Sequence, residues 1–308
     1  MELSALLNKM FVFVALMLIG YFLARRGVIG QSFVSVGSRL AVDVFLVGTI
    51  LGAMLSVQNS VTAEGLPIIL LLTTLFQVIS YAVAFLARKI VHPVPERAGA
   101  FELLAAVPNS VFIALPIVAS LYGDYAVLVV SISCIPFNIL LYSYGAWRVK
   151  RGDQGRFRIR EVFNVPLVTT LIGIVLLVFR IPVPQAGRDL LAALGGATMP
   201  VSMLVIGASL KSVSLLDAFR NRQLALLSAV KLVLLPILIW LLFRPLTDNS
   251  VLLMTCVIIA ASPGAVVASI LAIQCGQDPV FSSEAVQHTT VCSVVTIPIL
   301  IQILSRFC

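Results

Sequence analysis

Ten apolar runs of roughly 20 residues each, divided by short polar breaks, occupy almost the whole of this chain. No other feature narrows the possible folds so far. The runs lie at roughly 5–24, 34–56, 66–87, 99–122, 124–147, 164–182, 189–210, 223–243, 250–273 and 283–305. In hydrocarbon each run must satisfy its own backbone amides and carbonyls, which a helix does internally. A barrel would show short alternating segments instead. Only 11% of the 308 residues are Asp, Glu, Lys or Arg, against roughly 25% in soluble domains. A water-facing surface cannot be made from so few, so the composition excludes a soluble enzyme, a nucleic-acid-binding module and a disulfide scaffold. The expected class is an all-α polytopic membrane protein whose first partner is the lipid bilayer.

The net charge of +8 invites a nucleic-acid partner, but the placement of the charges argues against one. If the first span runs outside to inside, fifteen Lys and Arg fall in inner segments. They include Arg25, Arg26, Arg88, Lys89, Arg148, Arg151, Arg156, Arg158 and Arg160. Only Lys9, Arg180, Arg188, Arg244 and Arg306 fall outside. That bias is the positive-inside rule, and it predicts both termini on the outer side of the cell membrane. The one remaining cation, Lys231, sits within a span. Residues 149–162 read as a basic cytoplasmic linker, with contact to anionic lipid as a further role. The five cysteines (Cys134, Cys256, Cys275, Cys292, Cys308) show no paired spacing, which argues against disulfides and a metal site.

Short matches recur at about half the chain length. Ala105-Ala106-Val107-Pro108 corresponds to Ala260-Ala261-Ser262-Pro263 at an offset of 155 residues. Leu18-Ile19-Gly20 corresponds to Leu171-Ile172-Gly173, offset 153, and Leu46-Val47-Gly48 to Val205-Ile206-Gly207, offset 159. The offsets agree and keep the order of the spans, which predicts a duplication: 1–148 and 163–308 as two five-helix repeats. Five is odd, so the second repeat enters the membrane from the opposite side. Such inverted repeats let one central site face either compartment in turn.

The fourth and ninth spans carry Pro108-Asn109-Ser110 and Ser262-Pro263-Gly264 near their centres. Proline removes an intrahelical hydrogen bond and clashes with the preceding turn, and glycine loosens the backbone. Both spans are therefore expected to break at mid-depth, where half-helix N-termini turn partial positive charge on the centre and suit a carboxylate. Lys231 lies at similar depth, read either as the charge that meets a substrate carboxylate or as the partner of an acid within the protein. The corresponding position 154 residues earlier is Gln77. Asp43, in the second span, is a candidate for coupling or charge balance, or for a hydrogen bond within its own helix. Asn138, beside Pro136, offers amide donors. Glu102 and His288 lie nearer the span ends and read as structural or solvated. No phosphate-binding loop, HExxH or Ser-His-Asp arrangement is present, so neither an enzyme nor a cofactor is expected.

Four stretches resemble the auxin efflux carrier family, in particular its bacterial malate- and malonate-type permeases. They are Ile19 to Val28, Pro108 to Pro116 with Tyr122-Gly123, Pro136-Phe137-Asn138, and Lys231-Leu232 with Pro236. In the second span the family shows Asn and then Pro where this chain has Asp43 and Val47, and many members carry Asn at the ninth-span break. The resemblance implies a ten-helix fold like that of bile-acid symporters and sodium–proton antiporters, with helices four and nine crossing at their breaks. Spans three to five and eight to ten would form a moving unit. Spans one, two, six and seven would form a scaffold, with a homodimer through helices two and seven.

Together these readings predict a secondary active or facilitative transporter of small organic anions by alternating access. The substrate residues would be Pro108, Asn109, Ser110, Asn138, Ser262, Pro263, Gly264 and Lys231, with Asp43 and Gln77 in coupling or charge balance. The alternatives are a Na⁺- or H⁺-coupled carrier of another solute, and a membrane-embedded sensor or enzyme.

Overall fold

Helix formation follows the apolar runs, and most ends carry a local stop signal. A computed structural model describes residues 3–61, 65–150, 162–212 and 221–307. Among them lie twelve helices: α1 Leu3–Arg25, α2 Gln31–Ser56, α3 Gly65–Val91, α4 Pro95–Ala106, α5 Ser110–Tyr122, α6 Asp124–Val149, α7 Val165–Val178, α8 Gln185–Ser209, α9 Arg222–Phe243, α10 Ser250–Ala261, α11 Val266–Gln274 and α12 Pro279–Leu304. Seven (α1, α2, α3, α6, α8, α9 and α12) are long and apolar enough to cross a membrane, and α5, α7 and α10 are shorter apolar helices. The protein is a polytopic, all-helical membrane protein.

Some starts carry side-chain caps. Asn164, Asn221 and Asn249 accept hydrogen bonds from Leu167, Gln223 and Leu252 amides at 3.1, 3.0 and 3.0 Å. Each satisfies an N–H that the helix itself cannot. Basic residues close the last turns of α1 (Arg25) and α3 (Arg88, Lys89), where they complement the negative end of the helix dipole. Four π-helical turns interrupt the regular ladder: Ala41–Phe45 in α2, Ser110–Ala114 opening α5, Leu141–Gly145 in α6 and Val230–Leu234 in α9. Such turns concentrate at functional positions, and three of the four contain Asp43, Ser110 or Lys231.

The chain divides into two compact units, each drawn from both halves of the sequence. The first comprises Met1–Leu70, Val111–Cys134 and Phe163–Ser212. Within it α8 packs on α1 and α2, and α7 on α2. The α1–α8 approach is reciprocal: a Cβ on Gly20 would land on the Leu204 carbonyl, and one on Gly207 on the Met17 carbonyl. Only glycine allows the two backbones to come so close.

The second unit comprises Leu71–Ser110, Ile135–Val162 and Val213–Cys308. Its core gathers Phe101, Leu103 and Leu104 of α4, Leu141 of α6, Leu224 and Leu227 of α9, and Phe281 and Ala285 of α12. One tie holds the entry to α12 in place. The Gln277 carboxamide accepts from the Gly99 and Ala100 amides at 3.0 and 3.3 Å and donates to the Val149 carbonyl at 2.9 Å. Beside it Arg97 donates to Asp278 at 2.8 Å. Burial pushes the Asp278 carboxyl upward, but the Phe281 amide, the Arg97 guanidinium and the Val280 amide outweigh that and hold it below its ordinary value. The central basic segment expected at 149–162 falls mostly on residues 151–161. These, with Arg220 and Cys308, lie outside the described residues.

Candidate functional site

Both expected breaks are present. After α4 the chain turns extended at Val107 (φ −97°, ψ 112°), and after α10 at Ser262 (φ −70°, ψ 144°). Residues 107–109 and 262–265 then meet as a short antiparallel bridge centred on Pro108 and Gly264. The Asn109 amide donates to the Pro263 carbonyl at 2.8 Å, and the Ala265 amide donates to the Val107 carbonyl at 3.1 Å. The Ser110 amide turns back to the Pro108 carbonyl at 2.9 Å, and the Gly264 amide donates to Thr289 Oγ1 at 3.1 Å. A Cβ at Gly264 would sit 3.2 Å from the Leu104 carbonyl, so the close approach of the two breaks favours glycine there.

The amides of Asn109, Ser110, Gly264 and Ala265 are all already hydrogen-bonded. The physical reason is that unsatisfied backbone groups at this depth are costly, and two breaks brought together satisfy one another. What remains open is side-chain chemistry. The side chains of Asn109 and Ser110 make no hydrogen bond among the described residues, although both residues are buried. Ser262 is fully buried, and its hydroxyl donates to the Ile258 carbonyl at 2.9 Å, one turn back in its own helix.

Lys231 is the largest anomaly. It lies in the π-helical turn of α9, which packs on α4, α10 and α12. Two of those three helices lead directly into the breaks. The residue is 0% exposed, and its Nζ has no hydrogen-bond partner among the described residues. Three residues earlier, the Ser228 hydroxyl lies 2.7 Å from His288 Nδ1 on α12, next to the Thr289 that receives the Gly264 amide. Gln77 on α3 is likewise buried with Nε2 unpartnered among the described residues. Asn138 is buried on α6, past the in-helix Pro136.

An uncharacterized transporter of Methanothermobacter thermautotrophicus is 24% identical over 288 residues, covering 92% of this chain and 93% of the relative. The sequence profile of the membrane transport protein family matches residues 5–156 and 154–301. The chain belongs to this family, that of the auxin efflux carriers. It is a membrane transporter.

The second unit of this transporter supplies every substrate residue expected from the sequence: Pro108, Asn109, Ser110, Asn138, Ser262, Pro263, Gly264 and Lys231, and Gln77 as well. The bridge joins Pro108 and Asn109 to Pro263 and Gly264 directly. Asp43 belongs to the first unit, where it is exposed, with no ion pair among the described residues. Glu102 is structural: 1% exposed, it accepts from Arg88 Nη1 and from Arg148 Nε and Nη2, each at 2.7 Å. Thr289 was not singled out by the sequence, because a hydroxyl in an apolar helix ordinarily returns its proton to its own backbone. Here it does so, donating to Ala285, and also accepts from Gly264. No local pattern marks that second role.

Proposed function

We propose that this transporter carries small organic anions by alternating access, with the substrate carboxylate neutralised by Lys231. Asn109 and Ser110 offer orienting hydrogen bonds at the neighbouring break. The observation that carries the reading is the Lys231 ammonium, fully buried and unpartnered among the described residues. A buried charge without a counter-ion costs several kcal/mol, and an incoming carboxylate removes that cost. The buried carboxylate of Glu102, in the same unit, is already held by two arginines. Malate, malonate and auxin-like monocarboxylates are the substrate classes on which a test begins.

The same proposal includes ten spans in two inverted repeats, residues 1–148 and 163–308, with both termini outside. Two pairs of matched positions support the duplication. Gly20 and Gly173, at corresponding places, each sit where an added Cβ would strike a neighbouring helix. Gln77 and Lys231, also at corresponding places, are both buried with an unpartnered side-chain nitrogen among the described residues. Asp43 and Gln77 keep their proposed roles in coupling and charge balance, and homodimerisation would involve α2 and α8.

The test is a thermal-shift screen of purified protein with mono- and dicarboxylates, followed by uptake into proteoliposomes. A true ligand raises the melting temperature with concentration, and Asn109→Ala lowers its affinity. Shifts by a sugar or an amine, with none by any acid, would overturn the anion assignment.

A further inference from the structure

A second charged feature lies apart from the breaks, at the far end of α3. Phe85, Arg88, Lys89, His92, Pro93 and Arg148, with Pro95 and Ala98, line a cleft of about 470 Å³ in the second unit. Three permanent cations face one carboxylate, Glu102, which is buried and already taken. The cleft therefore keeps an excess of two positive charges before His92 is counted. Glu102 engages Nη1 of Arg88 and Nε and Nη2 of Arg148. The remaining guanidinium donors have no partner among the described residues. The clamp also fixes both guanidinium groups, so little rotamer freedom is lost when a further acceptor arrives. Lys89 Nζ is held 4.6 Å from the Phe85 ring centroid.

His92 lines the same cleft. It adopts φ 48° directly after α3, the left-handed conformation in which helices commonly end. Its Nδ1 lies 3.1 Å from the Ile90 carbonyl, which holds the ring at the lip of the cleft.

Depth and surroundings identify the ligand. Helix α3 has 27 residues, about 40 Å at 1.5 Å per residue. Arg88 lies about 15 Å beyond the helix midpoint at Val78, which is about half the hydrocarbon thickness of a bilayer. With the midpoint of α3 at the bilayer centre, the cleft falls at headgroup level. Residues adjacent in sequence to its lining are apolar and exposed: Leu86, Ile90, Val94 and Trp147, the last 67% exposed and beside Arg148. A soluble anion has no use for such a rim, whereas acyl chains and an interfacial Trp do.

We infer that this cleft is a binding site for the phosphate of an anionic phospholipid headgroup, with the acyl chains lying along Leu86, Ile90 and Trp147. The full-length protein in detergent is titrated with phosphatidylglycerol, phosphatidylcholine or inorganic phosphate, and thermal stability and native mass spectra are recorded. The variant is Lys89→Gln with His92→Asn, which spares the Glu102 clamp and keeps a residue tolerant of positive φ. Lys211→Gln, an exposed cation that does not line the cleft, is the control. Phosphatidylglycerol should raise the melting temperature and remain bound in the mass spectrum, with phosphatidylcholine clearly weaker. The double variant should bind about fivefold more weakly for the lysine alone, equivalent to ~1 kcal/mol, and the control should match the wild type. Equal effects of the two lipids, an unchanged response in the double variant, or an equal loss in the control would each overturn the site. Stabilisation by inorganic phosphate as strong as that by phosphatidylglycerol would overturn the lipid assignment.

Discussion

Replacing Lys231 by Met separates the two roles that a buried lysine can have. The side chain is 0% exposed and its Nζ is unpartnered among the described residues. Met keeps the unbranched shape and removes the charge. Exchange of a buried ion pair for well-packed apolar residues of similar volume is neutral or stabilising by about 1–4 kcal/mol, and an unpaired ammonium has no ion-pair attraction to lose. At roughly 2–4 °C per kcal/mol for a chain of a few hundred residues, the ligand-free variant should melt level with the wild type or several degrees above it. Binding should move the opposite way. A hydrogen bond to a charged group contributes about 1.5–3 kcal/mol, so carboxylate affinity should fall about 10- to 150-fold at 1.4 kcal/mol per decade. Both quantities come from one set of thermal unfolding curves, with and without substrate acid, and proteoliposome uptake provides the functional check. A variant that melts well below the wild type yet keeps its full acid-dependent shift would refute the reasoning. It would mean that the ammonium stabilises the resting fold and does not meet the substrate.

Glu102→Gln should destabilise the protein by about 2–3 kcal/mol, below the 3–5 expected for a fully buried pair because Arg88 is 32% exposed. An unchanged melting temperature would show that the two arginines do not need the carboxylate. Gly207→Val places atoms on the Met17 carbonyl and should cost about 1–3 kcal/mol, whereas Gly196→Ala, with nothing within 4 Å, should be neutral or gain up to about 1 kcal/mol. Equal melting temperatures for these two variants would contradict the close α1–α8 approach. Asp278 carries a depressed folded value, so its ion pair with Arg97 stabilises above the ordinary value of 3.8 and is lost as pH falls through the lower folded one. The melting-temperature gap between wild type and Asp278→Asn should be small, as for a partly exposed pair, present at neutral pH and narrowing as pH falls below the ordinary value of 3.8; a gap that does not narrow would point to another cause.

The sequence alone determined the features that depend on local chemistry. Membrane helices follow from the length and apolarity of the runs, because a bilayer accepts little else. The two interruptions follow from Pro108 and from Pro263-Gly264, because a missing amide proton and a missing Cβ act where they occur. Lys231 stood out because an ammonium in an apolar run is anomalous in any fold. The tertiary structure decided what those features meet. Val107–Asn109 pair with Pro263–Ala265 across about 155 residues, so the amides that proline set free are satisfied by the opposite break. Gln277 closes on Gly99, Glu102 on Arg148, and Thr289 on Gly264, each through partners no periodicity connects. Asp43 and Lys231, alike as charges within spans, end in opposite environments, one exposed and the other sealed. Backbone preference is a property of neighbours along the chain. Satisfaction of a polar group is a property of neighbours in space, and only the folded packing supplies those.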